Sequence, residues 1–125
     1  MDKTTIGQVL WQDLTVEHAD QVKDFYTAVV GWQVKPVDMG GYDDFSMRNP
    51  QTGKDLAGIC HARGTNADLP AQWLLYFAVE NLEQSTQEVV KRGGKCLTEV
   101  KSYGQSRYRV IQDPAGAVCA LFEQN

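Results

Sequence analysis

Residues 9–34, VLWQDLTVEHADQVKDFYTAVVGWQV, and residues 72–97, QWLLYFAVENLEQSTQEVVKRGGKCL, read as two renderings of one unit. A constant shift of 63 positions lays Val16 on Val79, Glu17 on Glu80, Gln21 on Gln84 and Gly31 on Gly94. In each copy an apolar run leads to a polar start, a helical stretch and a glycine that stops it. Each copy then closes with a matching turn, Asn49-Pro50-Gln51-Thr52-Gly53 in the first and Asp113-Pro114-Ala115-Gly116 in the second. A repeat this long predicts two supersecondary units sharing one core.

Working outward from that echo, the first copy begins with a strand over 6–16, where Leu14 and Val16 share one face and Trp11, Asp13 and Thr15 the other. A helix follows over 18–30, with Val22, Phe25, Tyr26 and Val29 spaced as a buried stripe, and Gly31 ends it. Strands are predicted over 32–37, 43–48 and 54–62, broken by Met39-Gly40-Gly41 and Asn49-Pro50. Residues 63–71 are polar and rich in turn formers, so they read as a linker. The second copy has a strand over 72–80 and a helix over 82–92 ended by Gly93-Gly94. Asn81 is its N-cap, in the place that His18 holds in the first copy. The Val29-Val30 and Val89-Val90 pairs are expected in the helix cores. Strands over 95–101, 105–112 and 117–123 complete an α+β chain that reads βαβββ twice. The expectation is a single domain over 1–125, with unit one over 6–62 and unit two over 72–125.

At 125 residues and 42% hydrophobic, the chain is long enough to bury one core without disulfides or metal. Its net charge of −4, with twelve basic residues scattered singly or in pairs such as Lys91-Arg92, provides no basic stripe for a phosphate backbone. Nucleic acid is therefore not an expected partner. No segment approaches the length needed to span a bilayer, and the N-terminal residues carry no apolar stretch of the signal-peptide kind, so no membrane partner is expected. Cys60, Cys96 and Cys119 are an odd number without CxxC spacing, which fits a reduced, cytoplasmic compartment.

Two strings carry a resemblance: Asp20-Gln21-Val22-Lys23-Asp24-Phe25-Tyr26-Thr27-Ala28-Val29-Val30-Gly31-Trp32 and Asp113-Pro114-Ala115-Gly116-Ala117-Val118. Both resemble the vicinal oxygen chelate superfamily, which includes glyoxalase I, extradiol dioxygenases, fosfomycin resistance proteins and bleomycin resistance proteins. The resemblance implies that the eight strands of two βαβββ units form a cup-shaped, mostly antiparallel sheet that holds a small-molecule ligand, with the helices outside. It also implies a homodimer. The fold does not name a reaction, because that cup hosts isomerases, lyases, transferases, oxygenases and drug-binding proteins.

Enzymes of that superfamily hold a divalent metal with His, Gln or Glu on the first and fourth strands of each unit, where the cation polarises adjacent substrate oxygens. Residue by residue, the resemblance places the first-strand positions at Trp11 and Leu74 and the last-strand positions at Ala120 and at Ala57 or Gly58. None of these side chains coordinates a metal. A shift of register would bring other donors inward, among them His61, the candidate metal ligand at a strand end, together with Gln12, Asp13 and Glu123.

What remains on the implied concave face is an aromatic wall with a few polar groups. Trp11, Asp13, Tyr76 and Tyr108 are the candidate ligand-binding residues, and Asp13 is also the candidate general base, since a carboxylate held in a dry pocket gains basicity. One of Arg107 or Arg109 is expected to point into the cup, as an electrostatic partner for an anionic ligand. Three readings stay open. The leading one is a glyoxalase- or bleomycin-resistance-like protein that binds a small, partly apolar or aromatic molecule, with no cofactor and without the usual divalent metal. The second is a metal-dependent lyase, isomerase or dioxygenase with displaced ligands, and the third a non-catalytic structural or regulatory partner.

Overall fold

The computed structural model describes residues 3–124. In order, these form β1 (Val9–Val16), α1 (Ala19–Val30), β2 (Gln33–Asp38), β3 (Asp43–Arg48), β4 (Asp55–His61), β5 (Trp73–Ala78), α2 (Leu82–Lys91), β6 (Lys95–Cys96), β7 (Lys101–Tyr103), β8 (Ser106–Gln112) and β9 (Val118–Glu123). The α+β class and the repeated βα start are as the sequence predicts. Where the sequence suggests a division in the linker, the contacts divide the chain inside β1: Gln12–Trp73 form one compact unit, and the described residues on either side of it form the other. The cause is the pairing of β1, whose last residues run parallel to β4 from Asp13↔Gly58 to Val16↔His61. The residues just before β1 bond instead to the end of β5, through Gly7 N to Ala78 O and Ala78 N to Gln8 O.

In the 12–73 unit the strand order is β2-β3-β4-β1, antiparallel except for β4 with β1. Ala19, Phe45, Met47, Ala57 and Ile59 are buried together, with Val16, Val22, Tyr26, Trp32, Val34 and Trp73 packed around them. The helix therefore meets the sheet through Ala19, Val22 and Tyr26, which recur at helical spacing. This corrects the predicted stripe: Phe25 and Val29 are 57% and 64% exposed, and Val30 and Val90 also lie largely in solvent. Hydrophobic spacing marked an arc wider than the one the sheet covers. His18 and Asn81 hold the N-cap positions of α1 and α2 as the sequence suggests, but only Asn81 caps with its side chain, accepting from Gln84 N, whereas His18 sits at φ 55 with no side-chain cap bond.

In the other unit the order is β5-β9-β8-β6, with β7 also on β8, and β5 runs parallel to β9. Here the predicted strand over 95–101 is two pieces, so the strands among the described residues number nine rather than eight. Lys95 and Cys96 pair with Gln112 and Ile111, but Lys101 then pairs with Tyr108, so residues 97–100 stand opposite only Arg109 and Val110. The two echoing turns are built alike. Asn49 Oδ1 accepts from Gln51 N and Thr52 N, and Asp113 Oδ1 accepts from Ala115 N and Ala117 N. No described helix is long and apolar enough to cross a membrane.

The two glycines after α2 do different work. Gly93 takes the left-handed conformation, at φ 92, that ends the helix. Gly94 is there for space, since a Cβ on it would lie 2.7 Å from Gln112 O and 3.1 Å from Val89 Cγ1. Gly94→Ala must push α2 off β8, and we expect a loss of about 1–3 kcal/mol of stability, measured by urea unfolding. A neutral result would mean that α2 does not pack this closely.

Candidate functional site

Pairing between β8 and β9 fixes which side chains share a face. Tyr108 stands opposite Phe122, Val110 opposite Ala120, and on β5 Tyr76 stands opposite Ala120. These residues form an aromatic and aliphatic face whose ring centroids lie 5.6 Å apart for Tyr76–Tyr108, 6.5 Å for Tyr76–Phe122 and 6.4 Å for Tyr108–Phe122. The last two rings are inclined by only 18°. On this face Leu74, Tyr76, Ala78, Val110 and Ala120 are buried, and Tyr108 and Phe122 remain half-open. The structure thus brings Tyr76 and Tyr108 together. Trp11 belongs to the same compact unit and is half-buried. Sequence reasoning missed Phe122. The alternation of Val118, Ala120 and Phe122 against Cys119, Leu121 and Glu123 would have placed it.

The arginines require a correction, since neither shares the Tyr108 face. Residues 107, 109 and 111 alternate with 108 and 110 along one strand, so both arginines lie on the side that carries α2. Arg107 donates from Nη1 and Nη2 to the two carboxylate oxygens of Glu83 at 2.7 and 2.9 Å, and from Nη2 to Glu123 Oε1 at 3.0 Å. Its side-chain bonds to Glu83 and Glu123 raise its affinity for the proton, and the same bond holds the Glu83 carboxyl below its usual range. Glu123 Oε2 in turn accepts from Leu82 N at 2.7 Å, at the first residue of α2. Arg109 Nε donates to Thr98 O at 2.8 Å. These contacts fasten the helix and the strand break to the sheet.

Asp13 lies in the 12–73 unit, directly opposite Gly58. Next to that pair on the same face is Cys60, whose thiol is pushed far above the usual range by burial first and then by the charges of Asp13 and Asp44. Cys119 is shifted upward for the same first reason. Because the thiolate is the reactive form, both cysteines should react with iodoacetamide at pH 8 at least about tenfold more slowly in the folded than in the urea-unfolded protein, as followed by timed peptide mass spectrometry. Equal rates would show that neither thiol is shielded.

The four positions at which the resemblance places a metal can now be read in space. Asp13 falls on Tyr76 under the 63-residue shift, and Asp13 pairs with Gly58 as Tyr76 pairs with Ala120, so strand register rather than the shift itself selects Gly58 over Ala57 as the counterpart of Ala120. Ala57 is buried under α1 on the opposite face. Trp11, Leu74, Gly58 and Ala120 supply no lone-pair donor, so these residues do not fit a divalent cation. His61 does not repair the set. Its Nδ1 faces Asp44 at 3.2 Å and its Nε2 faces Asp20 at 3.5 Å, so the two carboxylates sit at different ring nitrogens and do not converge on one point. No group of three or more His, Cys, Asp or Glu residues able to hold a metal occurs among the described residues.

Residues 5–121 match the model of the Glyoxalase/Bleomycin resistance protein/Dioxygenase superfamily. The chain belongs to that superfamily. Among its curated relatives, the anthracycline biosynthesis protein DnrV of Streptomyces peucetius is 30% identical over 99% of this chain and 50% of its own length. A putative glyoxylase, CFP32, of Mycobacterium tuberculosis (strain CDC 1551 / Oshkosh) is 31% identical over 95% of this chain and 46% of its own. The chain therefore spans about half the length of the curated relatives it matches. Among solved structures, a superfamily member from Vibrio splendidus 12B01 aligns with a TM-score of 0.60 at 17% identity, covering 91% of this chain and 97% of its own. Methylmalonyl-CoA epimerase from Mycobacterium tuberculosis aligns with a TM-score of 0.59 at 17% identity, over 100% and 93% of the two chains. At such identities these two establish the glyoxalase-type α+β fold and nothing finer.

Proposed function

We propose that this glyoxalase-superfamily protein binds a small, partly apolar or aromatic molecule against the Tyr76–Tyr108–Phe122 face, without the divalent metal typical of the family's enzymes. The observation that carries the reading is the replacement of donors by packed rings. Where the resemblance places a ligand to the metal, Ala120 presents a methyl group, and the residues around it are Tyr76, Tyr108 and Phe122. Such a surface favours a flat apolar ligand, through area burial and offset ring contacts. Trp11 is proposed as a further aromatic wall in the same unit. The name of DnrV, an anthracycline biosynthesis protein, supports a role in handling a small organic molecule.

No part in this binding falls to Arg107 or Arg109, which face α2, and no proton transfer is assigned to Asp13. The test is a titration with an anthracycline, followed by its own fluorescence, and with 2-naphthol as a two-ring probe. We expect saturable binding that Tyr108→Leu weakens by at least about tenfold, equivalent to about 1.4 kcal/mol, while Arg92→Gln, at an exposed ion pair just after α2, leaves it unchanged. Equal affinity in Tyr108→Leu and the parent, or no saturable binding of either probe, would remove the aromatic face from consideration.

A further inference from the structure

The break between β6 and β7 places one residue where the aromatic face ends. Two extra residues in the 97–100 segment leave side-chain alternation intact, so Lys101 and Tyr103 return to the Tyr108 side of the sheet. The bulge is fastened at its base. Leu97 N and Thr98 N both reach Val110 O, Thr98 Oγ1 accepts from Val110 N at 3.1 Å, and Arg109 Nε donates to Thr98 O. Beyond it, β7 is three residues long and pairs only with β8 among the described strands. It turns back through Gly104-Gln105, with Gly104 at φ 59 in the first of the two turn positions.

Tyr103, the last residue of β7, is 72% exposed, yet its ring lies 6.3 Å from Phe122 at an interplanar angle of 62°. A large aromatic side chain is thus left mostly in water at the rim of a ring cluster, on a short edge hairpin whose base is fixed. No core packing accounts for it. What the arrangement can do is fold a ring edge onto a molecule stacked against Tyr108 and Phe122.

Resting on the ligand-binding reading above, we infer that Tyr103 is the ligand-discriminating wall of that face, closing over planar molecules of about two fused rings and obstructing larger ones. Its contribution comes from the ring rather than the hydroxyl, because the contact it makes with Phe122 is ring to ring. An aromatic contact of this kind is equivalent to about a three- to tenfold change in affinity.

The experiment compares Tyr103→Ala, Tyr103→Phe and Tyr108→Leu in the full chain, with 2-naphthol and an anthracycline as probes and stopped-flow dissociation as the readout. For Tyr103→Ala we expect an unchanged melting temperature, about three- to tenfold faster release of 2-naphthol, and a smaller or opposite effect on the larger anthracycline. Tyr103→Phe should restore the parent rates. If Tyr103→Ala releases both probes like the parent while Tyr108→Leu loses binding, Tyr103 has no such role and the aromatic site stands. If neither variant alters release, or the parent binds neither probe, both assignments fall.

Discussion

Truncating Ile59 to alanine is expected to lower the free energy of unfolding by about 2–5 kcal/mol, the range for emptying a packed core position. Ile59 is fully buried and lies in mid-strand on β4, opposite Leu14 on β1 and Phe45 on β3. It is packed with Ala19 at the start of α1, so the cavity would open where helix and sheet meet. Few groups are free to refill it, because Met47 and Ala57 beside it are equally buried. Urea titration should show a lower midpoint with an unchanged slope. Val29→Ala, on the exposed side of α1, should stay within about 0.5 kcal/mol of the parent. If the two variants behave alike, α1 does not pack in the way described.

The second large effect is expected at Glu123, whose carboxylate serves two partners at once. One oxygen accepts from the first backbone amide of α2 and the other from Arg107, with the side chain only 14% exposed. Charge-assisted bonds of this kind contribute about 1.5–3 kcal/mol each, and their loss on truncation is not fully additive. Glu123→Ala should therefore cost about 2–4 kcal/mol. Glu123→Gln, which keeps an acceptor for Leu82 N, should cost less. Glu88→Ala is the control, because the Glu88–Arg92 pair is exposed and its removal should cost under about 1 kcal/mol.

The pH dependence has a definite sign. Arg107 lowers the Glu83 carboxyl in the folded chain, so this contribution is complete above the ordinary carboxylate range and disappears as the pH falls through the folded value. Loss of stability on acidification that is the same in the parent and in Arg107→Gln would remove the bridge from the account.

Much of the architecture can be read from the chain itself. The echo at 63 positions, the Asn81 cap and the Asn49 and Asp113 turns are local patterns, and local geometry accounts for each. Three expectations failed because they depend on what lies across from a strand or helix. Phe25 and Val29 match a buried stripe, but the sheet covers only the arc holding Ala19, Val22 and Tyr26. The strand over 95–101 breaks because two of its residues have no counterpart on β8. Arg107 joins α2 rather than the aromatic face because Glu83 and Glu123 lie on that side.

By itself, then, the sequence determined the repeated βα plan, its turns, and the non-coordinating identity of Trp11, Leu74 and Ala120 at positions where the resemblance implies metal ligands, since residue identity and spacing are properties of the chain alone. Only the tertiary structure decided which face of each strand meets a helix, that Gly58 rather than Ala57 pairs with Asp13, and that Tyr76, Tyr108 and Phe122 converge. Alternation divides a strand's side chains into two sets, but both sets are equally regular. Pairing and packing across distant segments choose which of them faces the helix and which forms a site.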